Sequence, residues 1–180
     1  TCALPILHDI GRFEQLKRYQ SFIDSQTIDH ANLGVTILFD DNLIEKFEID
    51  KKYYPIIKTA IYNHNKYEIE TGLESKTDLH CRIIRDGDKI DIFKTGLLET
   101  FEAFLGTSQF KLEHDVVTVK VFRTFMSCKT VLSTDRKTDL DRWVSFLALV
   151  FGLEFEYSLE YVNSHRYIIR LMDRLDIKDA

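Results

Sequence analysis

Apolar residues recur along this chain at spacings of three and four, the signature of helices that bury one side. Residues 2–10 read as the end of a helix, and 12 to about 21 as helix or turn with Phe13, Leu16 and Phe22 apolar. Ser25, Gln26 and Thr27 form a polar break and offer an N-cap. The next helix is predicted over 28–39, with Ile28, Leu33, Val35, Ile37 and Leu38 on its apolar side. A short amphipathic helix at 40–47 and a charged turn at 48–52 follow. Pro55 suits the first turn of a helix that runs to about His64 and buries Ile56, Ile57, Ala60 and Ile61. Residues 66–74 are a polar connection containing Gly72, with the composition of a lid or rim. A long helix is predicted from about 77 to 93, through Leu79, Ile83, Ile84, Ile90 and Ile92, and Gly96 and Gly106 bracket a further stretch.

Two more helices are predicted over 115–129 and 138–151, and a last one from about 155 to 175. Val116–Val121 alternates β-branched residues and reads as a strand or a buried helix; its neighbours favour the helix. Trp143, Phe146, Leu147, Val150 and Phe151 form an aromatic-rich surface of the kind that makes a core. With only 2 prolines and 7 glycines, the chain is poor in breakers, and the expected fold class is all-α. A 44% hydrophobic share over 180 residues is ample for a core.

The net charge of −5 gives no overall basic footprint for a nucleic-acid polymer or an anionic membrane, although a small anionic substrate needs only local charge. The 3 cysteines, Cys2, Cys81 and Cys128, show no CxxC pairing and read as free thiols, which points to a reducing, cytoplasmic setting and excludes zinc-finger chemistry. No apolar run approaches the length of a membrane span.

Candidate chemistry begins at Leu4-Pro5-Ile6-Leu7-His8-Asp9-Ile10-Gly11-Arg12-Phe13, where an apolar run ends in an imidazole beside a carboxylate. Such a pair can converge on a divalent ion at a helix end. Gly11 would let the turn open, and Arg12 would place a fixed cation nearby. The plainer reading is a helix C-terminus with an exposed Asp. Further candidates then accumulate. Asp29-His30 opens one apolar-periodic stretch, where His30 reads equally as a cap or a ligand. Asn63-His64-Asn65 closes another, where His64 reads as part of an exposed C-cap or as a ligand. Arg85-Asp86-Gly87-Asp88-Lys89-Ile90-Asp91 reads as a solvated charged face, yet Asp88 and Asp91 share a side with Ile84, where an acid is costly unless paired or bound to metal. His114-Asp115 lacks the flanking apolar helix and the Gly-Arg, and reads as a surface or helix N-terminal pair.

The HDIGRF, DHANLG, IYNHN and IIRDGDKIDIF blocks, in that order, resemble the HD-domain superfamily of metal-dependent phosphohydrolases. The resemblance implies an all-α, HD-domain-like helical bundle at 1–105 with C-terminal helices at 106–180 packed on it, within one domain. It implies His8, Asp9, His30, His64 and Asp88 as metal ligands, with Asp86 ranked behind Asp88 and Asp91 as a neighbour that orients the site. One or two divalent transition-metal ions (Mn, Fe, Co, Ni or Zn) would activate water to hydrolyse a phosphomonoester or phosphodiester of a nucleotide or related small molecule. Asp9, Arg12 and Lys89 are the expected catalytic residues, and Arg12, Gln15 and Lys89 the substrate-binding ones. The family's first histidine precedes the His-Asp pair by a few tens of residues, whereas this chain starts at Thr1. That reads as a longer protein with its N-terminus missing, and weak metal binding is expected of the chain as it stands. A non-catalytic HD-like module that binds a nucleotide or a partner protein is the alternative.

Overall fold

The computed structural model describes residues 4–176, and every regular element among them is helical. The all-α expectation therefore holds. No described helix is long and apolar enough to cross a membrane. The chain packs as two compact units, Thr1–Arg85 and Asp86–Ala180. The division falls inside one helix, Ser75–Leu98, and groups residues 86–105 with the C-terminal helices.

In the first unit, α1 (Leu4–Leu7) ends after a single turn, and His8 and Asp9 form the junction to α2 (Ile10–Tyr19). Helix α3 (His30–Val35) passes into a π turn at Thr36–Asp40, closed by the Asp41 amide donating to the Thr36 carbonyl at 2.9 Å. Two 3-10 turns, Leu43–Lys46 and Lys51–Tyr53, lead to α4 (Tyr54–Asn63), with Pro55 in its first turn as expected. The first part of α5 (Ser75–Leu98) completes the unit. Leu4, Leu7, Leu38, Ile44, Ile57, Ala60, Ile61, Cys81 and Ile84 form its core. Burial pushes the Cys81 thiol up to about 11, so it packs as a small inert hydrophobe. Cys128 is exposed, and Cys2 lies outside the described residues.

Helix α2 departs from its expected pattern. Its buried positions are Gly11 and Gln15, while Phe13, Leu16 and Phe22 are exposed. Gly11 is not the opening of a turn. It is helical, and the reason for glycine is space: a Cβ there would lie 2.1 Å from the His30 carbonyl oxygen and 2.7 Å from the Gly34 amide nitrogen. The backbones of α2 and α3 cross in contact where Gly11 meets His30 and Gly34, a close approach that the small residue Gly34 suggested. The 66–74 connection is not loose either, because Arg85 donates from its guanidinium to the carbonyls of Asn63, Lys66 and Tyr67.

The second unit contains the rest of α5, then α6 (Phe101–Leu105), α7 (Gln109–Glu113), α8 (Val119–Met126), α9 (Asp139–Leu147), α10 (Glu156–Ser164) and α11 (Tyr167–Met172). Its core gathers Phe93, Phe101, Leu105, Leu112, Leu140, Trp143, Leu147, Val162, Tyr167 and Leu171. Val119–Val121 is helical, not strand. Gly96 lies inside α5 and does not end it, because Leu171 and the Phe104 ring press on it at 3.2 and 3.5 Å from where a Cβ would sit. The expected helix at 155–175 is two helices, broken where Arg166 takes a φ of 52°.

Asp141 organises the start of α9. Its buried carboxylate accepts from the Thr118 amide at 2.8 Å, the Thr118 hydroxyl at 3.0 Å, the Lys137 amide at 2.9 Å and the Thr138 amide at 3.3 Å. Burial alone would raise its pKa; the amides of Lys137 and Thr118, the Thr118 hydroxyl and the Thr138 amide outweigh burial and lower it. A lowered folded pKa adds stability that is complete above the unfolded value, about 4, and is lost as pH falls through the folded one. Asp141→Asn is therefore expected to cost about 2–3 kcal/mol at pH 7, and the gap from the wild type should narrow below about pH 4. Urea unfolding at the two pH values checks this; an equal gap at both would refute the charged role.

Candidate metal centre

His8 and Asp9 occupy the break between α1 and α2, so neither side chain is bound by helical periodicity. Asp9 stands at the N-cap position of α2 yet makes no capping hydrogen bond. Its carboxylate turns instead toward three histidines. His30 is the first residue of α3, held there by Asp29, which caps the helix by accepting from the Asn32 amide at 3.0 Å. The cap is thus Asp29. Asp29 is in turn held by Lys66 at 2.6 Å and Asn65 at 3.1 Å. His64 follows the last residue of α4 and is buried, which removes the exposed C-cap reading. Its neighbour Asn63 is wholly buried, donating to the Thr59 carbonyl at 2.9 Å and accepting from the Glu70 amide at 3.0 Å.

Each ring is anchored through Nδ1. His8 Nδ1 lies 3.1 Å from the Pro5 carbonyl, His64 Nδ1 2.6 Å from the Ile61 carbonyl, and His30 Nδ1 2.6 Å from Asp24 Oδ2. A carbonyl or carboxylate oxygen only accepts, so in each neutral ring the proton sits on Nδ1 and the lone pair on Nε2. The Nε2 atoms converge. His30 Nε2 is 2.9 Å from His64 Nε2, and Asp9 Oδ1 is 3.3 Å from the first and 3.5 Å from the second. His8 Nε2 lies 3.6 Å from Asp9 Oδ2, and His8, Asp9 and His64 offer ligand atoms all within 4.8 Å of one another.

Two lone pairs at 2.9 Å beside an anionic oxygen repel unless a cation, either a proton or a metal ion, stands among them. Ligand atoms held at about 2.0–2.2 Å from one transition-metal ion lie roughly 3 to 3.5 Å from each other, the range seen here. Asp9 Oδ1 is buried and makes no hydrogen bond. The donor set of imidazole nitrogens and a carboxylate oxygen fits manganese, iron, cobalt, nickel or zinc better than calcium. Burial alone would raise the Asp9 carboxyl. The polar contact with His64, the charge that His8 and His30 carry when protonated, and the Arg12 guanidinium outweigh it and lower the carboxyl to about 2, ionised as a ligand must be.

Four of the five expected ligands, His8, Asp9, His30 and His64, thus come together within the first unit. Asp88 and Lys89 belong to the second unit. Asp88 is half-buried on α5. Its rival Asp86 is engaged elsewhere, accepting from the Glu154 amide at 3.0 and 3.1 Å and the Phe155 amide at 3.1 Å, just ahead of α10. Lys89 is buried beside it, Nζ 3.9 Å from Asp86 Oδ1, and its stem passes Gly152. Asp91 is exposed, so it does not share the buried side expected for it.

Arg12 and Gln15, the expected substrate-binding residues, make polar contacts inside the fold. Arg12 Nη1 donates to Asp24 Oδ1 at 3.0 Å, the Phe22 carbonyl at 2.8 Å and Gln15 at 3.3 Å, and its Nε lies 3.6 Å from Asp9 Oδ1. Gln15 is wholly buried, its amide nitrogen set against Asp24 Oδ1, Thr27 Oγ1 and the Ile28 carbonyl at 2.8–2.9 Å. Both brace Asp24. Sequence reasoning passed over Asp24 because its partners are six to 41 positions away and share no local pattern. His114 is exposed, and Asp115 caps α9 by accepting from the Asp139 and Leu140 amides at 2.9 and 3.2 Å, in keeping with a structural second pair.

Comparison with protein-family models, with curated proteins and with solved structures returns no match.

Proposed function

We propose that the chain carries the metal-binding half of a phosphohydrolase centre of the HD type. The observation that supports this most is the convergence of His30 Nε2 and His64 Nε2 on the buried, unbonded Asp9 Oδ1, with every Nδ1 already engaged. His8, Asp9, His30 and His64 would hold one or two divalent transition-metal ions. When bound, such an ion lowers the pKa of water and offsets charge on phosphoryl oxygens. The protein's part is to turn three Nε2 atoms inward, to keep Asp9 ionised, and to hold Arg12 as a cation 3.6 Å from it. A phosphomonoester or phosphodiester of a nucleotide or related small molecule is the proposed substrate class.

A second reading is a metal-holding module that binds a nucleotide or partner protein without turnover. It draws on Arg12 and Gln15, whose polar groups are engaged inside the fold. One experiment separates the readings. Metal content is measured by plasma mass spectrometry after purification without chelator, and hydrolysis of p-nitrophenyl phosphate and its bis-ester is then assayed with the metal found. Metal with turnover supports the hydrolase, metal without turnover on these or on nucleotides supports the module, and no metal, even when it is offered back, overturns both.

A further inference from the structure

The three histidines of the centre are not anchored alike. His8 and His64 rest on neutral backbone carbonyls, of Pro5 and Ile61. His30 rests on a carboxylate, Asp24, at 2.6 Å. A carboxylate partner fixes the ring's orientation and tautomer more firmly than a carbonyl, and makes the opposite nitrogen a stronger donor. Asp24 is itself held from several sides. Arg12 Nη1 at 3.0 Å and Gln15 Nε2 at 2.9 Å meet its Oδ1, and Asn65 Nδ2 at 3.4 Å meets its Oδ2. Gln15 is wholly buried, so this bracket does not swing with solvent.

We propose that Asp24 is the positioning residue of the centre: it locks His30 in the tautomer protonated on Nδ1, so that the Nε2 lone pair faces Asp9 and His64. Arg12 and Gln15 serve this lock by holding Asp24, and that is why the HDIGRF arginine points back into the fold. The inference deepens the reading of His30 as a metal ligand and rests on it for its purpose, but the tautomer can be tested without any metal.

The variant is Asp24→Asn in the full chain. Arg12 and Gln15 both donate, so they require an oxygen at the Oδ1 position. The amide nitrogen of Asn then falls at the Oδ2 position and faces His30 Nδ1 as a donor. His30 must answer with a lone pair on Nδ1, which moves its proton to Nε2 and points N–H at His64. Long-range proton–nitrogen NMR of the metal-free protein reads this directly. The wild type should show His30 protonated on Nδ1, and the variant should show it protonated on Nε2. Titration with Mn2+ or Zn2+ should show affinity weaker by about 10- to 100-fold in the variant. A merely structural Asp24 would lower the thermal midpoint and move neither readout.

A wild-type His30 protonated on Nε2 overturns the proposal even if the variant does not fold. An unchanged tautomer together with unchanged Mn2+ and Zn2+ affinity in a folded variant also overturns it, while leaving the metal reading intact. A tautomer switch in a protein that binds neither ion supports the positioning role and counts against the proposed function alone.

Discussion

Asp9→Asn is expected to empty the centre. The substitution keeps size and shape but removes the carboxylate that faces His8, His30 and His64 at 3.3–3.6 Å. The amide nitrogen cannot ligate, and the amide oxygen is a neutral and weaker donor. Metal content should fall below about a tenth of the wild-type value. A metal contributes several kcal/mol to charge stabilisation, so metal-dependent phosphatase turnover should fall by roughly three orders of magnitude. Helical content should hold, since Asp9 caps no amide. Asp115→Ala is the internal control. It removes the other His-Asp carboxylate, frees two amides of α9, and should cost about 1 kcal/mol of stability with metal content and turnover unchanged. Turnover unchanged in Asp9→Asn, or abolished in a folded Asp115→Ala protein, would show that the wrong pair had been assigned.

Gly11→Ala is expected to be the most disruptive single methyl in the first unit. The added carbon would stand 2.1 Å from one backbone atom of α3 and 2.7 Å from another. Backbone cannot rotate away as a side chain can, so the helices must part. Overpacking of this kind costs about 3 kcal/mol or more, a fall of roughly 10 °C in the thermal midpoint. The displaced atom is the carbonyl of His30, so metal affinity should drop with stability. Gly87→Ala makes the contrast. It adds the same carbon inside α5 where nothing lies within 4 Å, and should stabilise by about 0.5–1 kcal/mol. Thermal melts of the two variants against the wild type settle the matter; a silent Gly11→Ala would mean that α2 and α3 do not cross in contact.

Local pattern carried the helices, and the family resemblance picked out His8, Asp9, His30 and His64, whose side chains converge. Pro55 placed α4, and the acids near the start of α9 marked its N-terminus. His8, Asp9, His30 and His64 stood out because each sits at a helix end or junction, where a side chain can leave the helix's own periodicity. Features decided by a partner far along the chain stayed hidden. Gly11 reads as a helix end until Gly34 is seen against it. Gly96 reads as a breaker until Leu171 and Phe104 are seen to need the space. Arg166 carries no signal for the left-handed turn between α10 and α11, because that turn is usually glycine's. Arg12 and Gln15 looked outward because Asp24, which turns them inward, has no spacing that marks it. Charge was the weakest guide: Asp86 and Asp88 are alike in sequence, yet Asp86 closes on two amides before α10.

The proposed ligands from His8 to His64 come from three separate places along the first unit, so an ion held by them would tie that unit into two loops with a removable knot. An ion gripping all three histidines would close both loops at once, and closure entropy grows only slowly with loop length, so long intervening segments add little to the difficulty. Each tenfold rise of free metal above its dissociation constant would tighten the fold by about 1.4 kcal/mol. The melting temperature of that unit would then work as a gauge of the metal concentration around it.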